Sequence, residues 1–266
     1  MANTEQRPKV PILETGNILF FYRPKTDVLH PKSPDDLERA YFMLLPDDQD
    51  RHQNRLFNVA HGVFPAIVPG RLLPEERDWA FVQDTAKDPT DLLLTLEKEV
   101  PVPAPPSGRR IRPWARAAGE GRYAIVKHED HTELVYRLAE PQKPGEVQKE
   151  LQLYPEASYV LSVKEPFAPS EIELSEKPSY PKELRARFDG YGWIPSEPTD
   201  YLDYQYTQVL LVGARTNPQE EFGLTIDAGM KNRAAQQVLK VLSQKEREAE
   251  QQEVSLLEPM KQGRWE

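Results

Sequence analysis

Two histidines and two carboxylates stand in four consecutive residues, His128-Glu129-Asp130-His131, with Glu133 close behind. Imidazole nitrogens and carboxylate oxygens are the donors that zinc, manganese and iron accept. His128, Asp130 and His131 are therefore the metal candidates of this chain. The flanking segments decide how those donors are presented. Tyr123–His128 and Thr132–Leu138 alternate apolar and polar residues, the pattern of half-buried strands, so the four residues fall at the tip of a hairpin with a short loop. Adjacent side chains on a strand face opposite ways, so a site here needs a further ligand from elsewhere, with His30, His52 and His61 the remaining histidines. The competing reading is a polar hairpin tip in water.

A second group is basic. Arg109, Arg110, Arg112, Arg116 and Arg122 run together with Trp114 and Tyr123, opposed in that stretch by Glu120 alone. Guanidinium forks bind phosphate and carboxylate bidentately, and an aromatic ring among them offers a stacking surface. These five arginines are the anion-binding candidates, and the alternative is that they pair with the protein's own surplus acids. Gly119-Glu120-Gly121 lies among them but lacks the lysine–serine/threonine ending of a phosphate-binding loop. A third group, Tyr191, Trp193, Tyr201, Tyr204 and Tyr206, either lines a pocket or caps the sheet.

The elements that must hold these residues are read from apolar runs and breakers. Asn17–Tyr22, Tyr41–Leu45, Arg55–Ala60, Trp79–Thr85, Ser158–Val163 and Thr207–Gly213 join the hairpin as strands. Helix starts are expected after Ser33, at Pro89, Pro144 and Tyr180. The proline-rich Val100–Gly108 is the candidate hinge. From 224 to 257 the pattern is helical, with Ala228, Ala235, Val238, Leu239 and Leu242 on one narrow stripe. The stripe and its polar continuation are the candidate docking site for a protein partner. The expected fold is α+β, a mixed or antiparallel sheet of about seven strands with short helices and a long C-terminal helix. Residues 1–14 are expected as a disordered tail, 15–215 as a single α+β domain, and 216–266 as a charged helix and tail.

Composition narrows the function. The 266 residues include no cysteine, which excludes disulfides, thiolate zinc sites and iron–sulfur clusters. A net charge of −9 repels phosphate backbones and anionic headgroups, so nucleic acid is disfavoured as a partner. No apolar run approaches the roughly 20 residues that span a bilayer, and 1–14 has no apolar signal core. These features place the protein in the cytoplasm or the nucleus, away from membranes. Only 38% of residues are hydrophobic and 26 are proline, which assigns much of the chain to loops around a core. Neither a nucleophile elbow nor a dinucleotide fingerprint is present, and no cofactor is expected. The leading expectation is a non-enzymatic interaction or ligand-binding protein. The alternatives are a hydrolase-type enzyme and a nucleic-acid-binding regulator that leans on the same arginines. In the hydrolase, Arg109, Arg110, Arg112 and Arg116 would hold an anionic or phosphorylated small molecule, and His128 or His131 would serve as acid/base or metal ligand.

Gly16-Asn17-Ile18-Leu19-Phe20-Phe21-Tyr22-Arg23-Pro24-Lys25, Gly119-Glu120-Gly121-Arg122-Tyr123 and His128-Glu129-Asp130-His131 together resemble a family of uncharacterised fungal and bacterial proteins. Some fungal members carry a transcription-factor label. The resemblance covers about residues 15–215 and implies no activity and no catalytic residues.

Overall fold

A computed structural model of the chain describes residues 9–68, 76–97, 112–170, 173–251 and 253–265. Arg109, Arg110 and the expected hinge at Val100–Gly108 lie outside that set.

The strands are β1 (Ile12–Pro24), β2 (Leu37–Pro46), β3 (Asn54–Val59), β4 (Arg77–Ala86), β5 (Arg116–His128), β6 (His131–Glu140), β7 (Glu156–Lys164), β8 (Trp193–Pro195) and β9 (Gln208–Arg215). The helices are α1 (Leu92–Leu96), α2 (Glu146–Glu150), α3 (Lys182–Ala186), α4 (Pro218–Phe222), α5 (Arg233–Glu250) and α6 (Glu258–Gln262). They pair in the order β6-β5-β1-β2-β3-β4-β9-β7-β8, and β6 also pairs with β7. That last pairing closes eight strands into an antiparallel barrel, with β8 added outside β7. The α+β fold with an open sheet is thereby corrected. Strand-forming runs were recognisable one at a time, but the bond between β6 and β7 leaves no trace in either strand's own pattern. Closure removes the edges that an open sheet would have to protect.

Eight strands enclose a lumen just wide enough for side chains to fill. Phe20, Phe42, Phe57, Phe64, Tyr136 and Tyr159 fill it here, with Phe42 and Phe57 stacked at 4.4 Å between ring centroids. The opposite faces of β1, β2 and β3 are also buried. Leu19, Phe21, Tyr41, Met43, Leu45 and Leu56 pack against the C-terminal helices. Two-sided burial explains why Asn17–Tyr22 reads as a continuous apolar run, whereas β4, open on its outer face, alternates.

One end of the lumen is closed by the short helix α2 (Glu146–Glu150), whose Val147 joins Leu151 and Leu153 in the core. The other end is closed by a buried charged network. The Glu14 carboxylate takes two bonds from Arg55, at 2.6 and 3.1 Å, and one from the Tyr123 hydroxyl at 2.7 Å. Arg55 also reaches Asp203, on the 3₁₀ turn Thr199–Asp203, at 2.7 Å. His52 sits 3.0 Å from Asp203 and 3.4 Å from Glu14. Burial alone would lower the basicity of Arg55, but the charges of Glu14 and Asp203 raise it well above the usual arginine range. Burial would raise the Asp203 pKa, yet the His52 hydrogen bond and the Arg55 charge hold it below the ordinary value. Tyr123 is pushed up by burial and by Glu14. Glu14 thus belongs to β1 and the core, so the tail expected over 1–14 gives way to the strand at Ile12.

The C-terminal segment also differs from expectation. The helix expected over 224–257 is α5, Arg233–Glu250, capped by Asn232, whose Oδ1 accepts from the Ala235 N–H at 2.9 Å. Ala228 lies ahead of that cap, while Ala234, Ala235, Val238 and Leu242 pack on the barrel wall. Beyond α5 the Glu246 carboxylate accepts the Leu256 and Leu257 N–H groups at 2.5 and 3.2 Å, turning the chain back. Helix α6 (Glu258–Gln262) then lays Met260 on the same wall. The apolar stripe read as a partner-docking face is covered by the protein itself. The helix start expected after Ser33 is a single 3₁₀ turn, Pro34–Asp36, from which the chain enters β2 directly.

Candidate metal centre

The hairpin expected between residues 123 and 138 is present. Tyr123 pairs with Tyr136 and His128 with His131, leaving Glu129 and Asp130 as the turn. Glu129 takes a left-handed conformation, φ 52°, as a tight turn requires. Farther down the hairpin, a Cβ on Gly121 would lie 2.0 Å from the Arg137 carbonyl oxygen, so only glycine allows the two strands to approach this closely.

This register settles which donors share a face. Residues directly opposite across a hairpin project to the same side, as do residues two apart along one strand. His128 and His131 are opposite each other, and Glu133 follows His131 by two. All three therefore stand on the outer wall of the barrel. His128 Nδ1 lies 3.4 Å from His131 Nε2, His131 Nε2 lies 3.2 Å from Glu133 Oε1, and His128 Nδ1 lies 3.9 Å from the same oxygen. Among the described residues this is the one group of His, Asp and Glu donors spaced to hold a metal ion. Asp130, expected among the ligands, lies outside this group. Its side chain is 97% exposed at the turn, and it reaches only the outer ring nitrogen of His131, Nδ1, at 3.3 Å. There it can orient the imidazole, as carboxylates behind metal-bound histidines do.

The surroundings of Glu133 are unusual. Its side chain is fully buried although it carries a charge. Arg215 Nη1 donates to Oε1 at 2.6 Å, and the guanidinium continues to Glu221 at 2.7 Å. Oε2 is buried with no hydrogen-bond partner among the described residues. An orphaned acceptor of this kind costs about 1–3 kcal/mol, more when it is charged. Helix α4 (Pro218–Phe222) supplies the lid: the Phe222 ring lies 5.2 Å from the His128 ring, with the Arg215 guanidinium 4.9 Å from its centroid. Val126, Val135, Leu224 and Ile226 form the apolar floor beside it. The two histidines are partly exposed, so an ion has a way in from solvent.

The three described arginines of the basic group do not converge. Arg112 forks onto Glu38 at 2.8 and 3.1 Å, near the start of β2. Arg122 forks onto Asp47 at 2.6 and 2.8 Å, just beyond the other end of that strand. Arg116 donates to the Leu29 carbonyl in the loop after β1. Asp47 and Glu38 are both held below the ordinary carboxylate range: burial would raise them, but the hydrogen bonds and charge of their arginines more than offset it. These three described arginines hold loops and strand ends, each with its own partners. Of the aromatic group, Tyr201 is in the core, Trp193 packs on Trp79 at 4.8 Å, and Tyr191 is exposed.

No protein-family model matches the chain. Neither the curated proteins nor the solved structures contain a significant match. Among the described residues, no helix is long and apolar enough to cross a membrane.

Proposed function

We propose that this protein is a ligand-binding protein whose ligand is a divalent transition-metal ion, held by His128, His131 and Glu133 on the outer wall of the barrel. One observation carries the reading. The three donor atoms stand 3.2, 3.4 and 3.9 Å apart. A tetrahedral ion with bonds of about 2.0–2.1 Å sets its ligands about 3.3 Å apart, so the group needs little rearrangement to close on zinc. Charge agrees with geometry. Glu133 and Glu221 set two carboxylates against the one guanidinium of Arg215, a surplus of negative charge that favours a bound cation. Glu133 Oε2, without a partner among the described residues, leaves this carboxylate with bonding capacity that Arg215 does not use.

Calorimetric titration of the full chain with zinc chloride tests the reading. One equivalent should bind to the wild type, and His131→Ala should weaken it at least tenfold. Equal affinity in the two proteins would remove the hairpin as the site. A hydrolytic reading is favoured by one feature: three protein donors leave the fourth position of a tetrahedral ion open to water, as in catalytic zinc centres. The same titrated protein, assayed on an activated ester, distinguishes binding from turnover.

A further inference from the structure

Lys164, the last residue of β7, is 4% exposed, although a lysine head group normally stays in water. Its Nζ donates to two backbone carbonyls, those of Glu165 and Ala168. Among the described residues no carboxylate lies within ion-pair distance of it. An ammonium has three donors, so one remains beyond these two carbonyls. The residue lines a cavity of about 360 Å³, within the size range of small-molecule sites.

The rest of the wall is arranged around one ring. Phe167 is 61% exposed, and two cations approach its ring. Lys177 Nζ is 4.6 Å and the Arg185 guanidinium 5.1 Å from the ring centroid. Lys177 and Phe167 line the cavity with Lys164, and Arg185 lines an adjoining concavity that shares Phe167. The acids of the wall are Glu165, Glu173 and Glu176. The Glu165 carboxylate is tied to the Phe167 N–H at 2.6 Å, and Glu176 is bonded to Tyr206. Tyr206 itself is held at φ 66°, a conformation that a bulky residue adopts only when its surroundings impose it. Burial first, and the nearby charge of Lys177 second, depress the basicity of Lys164. The Glu165 charge acts in the opposite direction without reaching ion-pair distance, and an anion placed in the cavity would offset the remaining cost of a buried ammonium.

We propose that this cavity binds a small organic anion, its carboxylate or phosphate group on Lys164 and Lys177 and its planar part against Phe167. This anion site is distinct from the one expected among the arginines, with Lys164 at the end of β7. The assignment is independent of the metal centre. The cross-strand pairing of Lys164 with Trp193 places a fluorophore beside the site.

The test is a fluorescence titration with phenyl phosphate, benzoate and inorganic phosphate, repeated on Lys164→Met, Lys177→Gln and Phe167→Ala. The full chain should bind an aromatic anion saturably at sub-millimolar concentration. Lys164→Met should weaken that binding at least tenfold and Lys177→Gln by about threefold. Phe167→Ala should weaken the aromatic probes and leave inorganic phosphate unchanged. Preference between phenyl phosphate and benzoate identifies the oxyanion. No saturable binding of any probe to the wild type would overturn the proposal. Unchanged affinity in Lys177→Gln would overturn it even if Lys164→Met failed to fold.

Discussion

Two charged clusters lie close together near one end of the barrel, one inside the lumen and one outside it, and they are finished differently. Inside, Glu14, His52, Arg55, Tyr123 and Asp203 bond one another, and both oxygens of the Glu14 carboxylate are taken by Arg55. His52 and Arg55 are no more than 2% exposed. Outside, Glu133 is equally buried but keeps an oxygen without a partner, and two half-open imidazoles face it at donor spacing. Buried charges that satisfy one another fix a structure. A buried charge left incomplete beside an opening is where a ligand belongs. Richness in titratable residues would have favoured the inner cluster, whereas unfilled bonding capacity favours the outer one.

The largest expected effect breaks the inner cluster. Arg55→Met leaves Glu14 and Asp203 as buried, unpaired carboxylates and should lower unfolding free energy by about 3–5 kcal/mol in a denaturant titration. Zinc affinity of the folded fraction should stay within about twofold, because no residue of the outer site touches Arg55. The converse change, Glu133→Gln, removes the charge from the outer cluster. It should cut zinc affinity at least tenfold, while unfolding shows a smaller loss than Arg55→Met. If Glu133→Gln proved the more destabilising of the two, the division into a structural and a ligand-binding cluster would fail.

Acid separates them by another route. The folded-state pKa values of Asp203 and Asp47 lie below their unfolded values, so unfolding takes up protons in acid. Their contribution is fully present above the unfolded aspartate pKa of about 3.9 and is lost as pH falls through the lower folded values. Denaturant midpoints should therefore be flat above about pH 5 and drop below pH 4. In Arg55→Met the part of that drop due to Asp203 should shrink, which a midpoint–pH series on both proteins would show.

The strands were readable because each carries its own signature: two-sided burial at Asn17–Tyr22 and alternation through Tyr123–Leu138. The hairpin at His128 was readable for the same reason. Closure was not, because the pairing of β6 with β7 joins segments that are separated by α2 and share no local pattern. The ligand set was half readable. His128 and His131 stand out as residue types, but Asp130 is close only in sequence, and Glu133 joins them through strand parity once the register is known. The inner cluster left no signal at all: Glu14 looked like the end of a tail, and Asp203 like one acid in an aromatic loop. Arg112 and Arg122 were visible as a basic run, yet their forks close on Glu38 and Asp47 of the same chain.

The smallest effect concerns Asp130. Because it touches only the outer nitrogen of His131 from an exposed turn, Asp130→Asn should weaken zinc by about two- to fivefold and leave stability unchanged. The size is below the usual 10–100-fold for outer partners because water competes for the contact.

Zinc-edge anomalous diffraction from crystals grown with one equivalent of zinc tests the central claim most directly. The account predicts one dominant peak within about 2.0–2.2 Å of His128 Nδ1, His131 Nε2 and a Glu133 carboxylate oxygen, with Arg215 still beside Glu133. A dominant peak on other residues, or no ordered zinc at the hairpin, would contradict it.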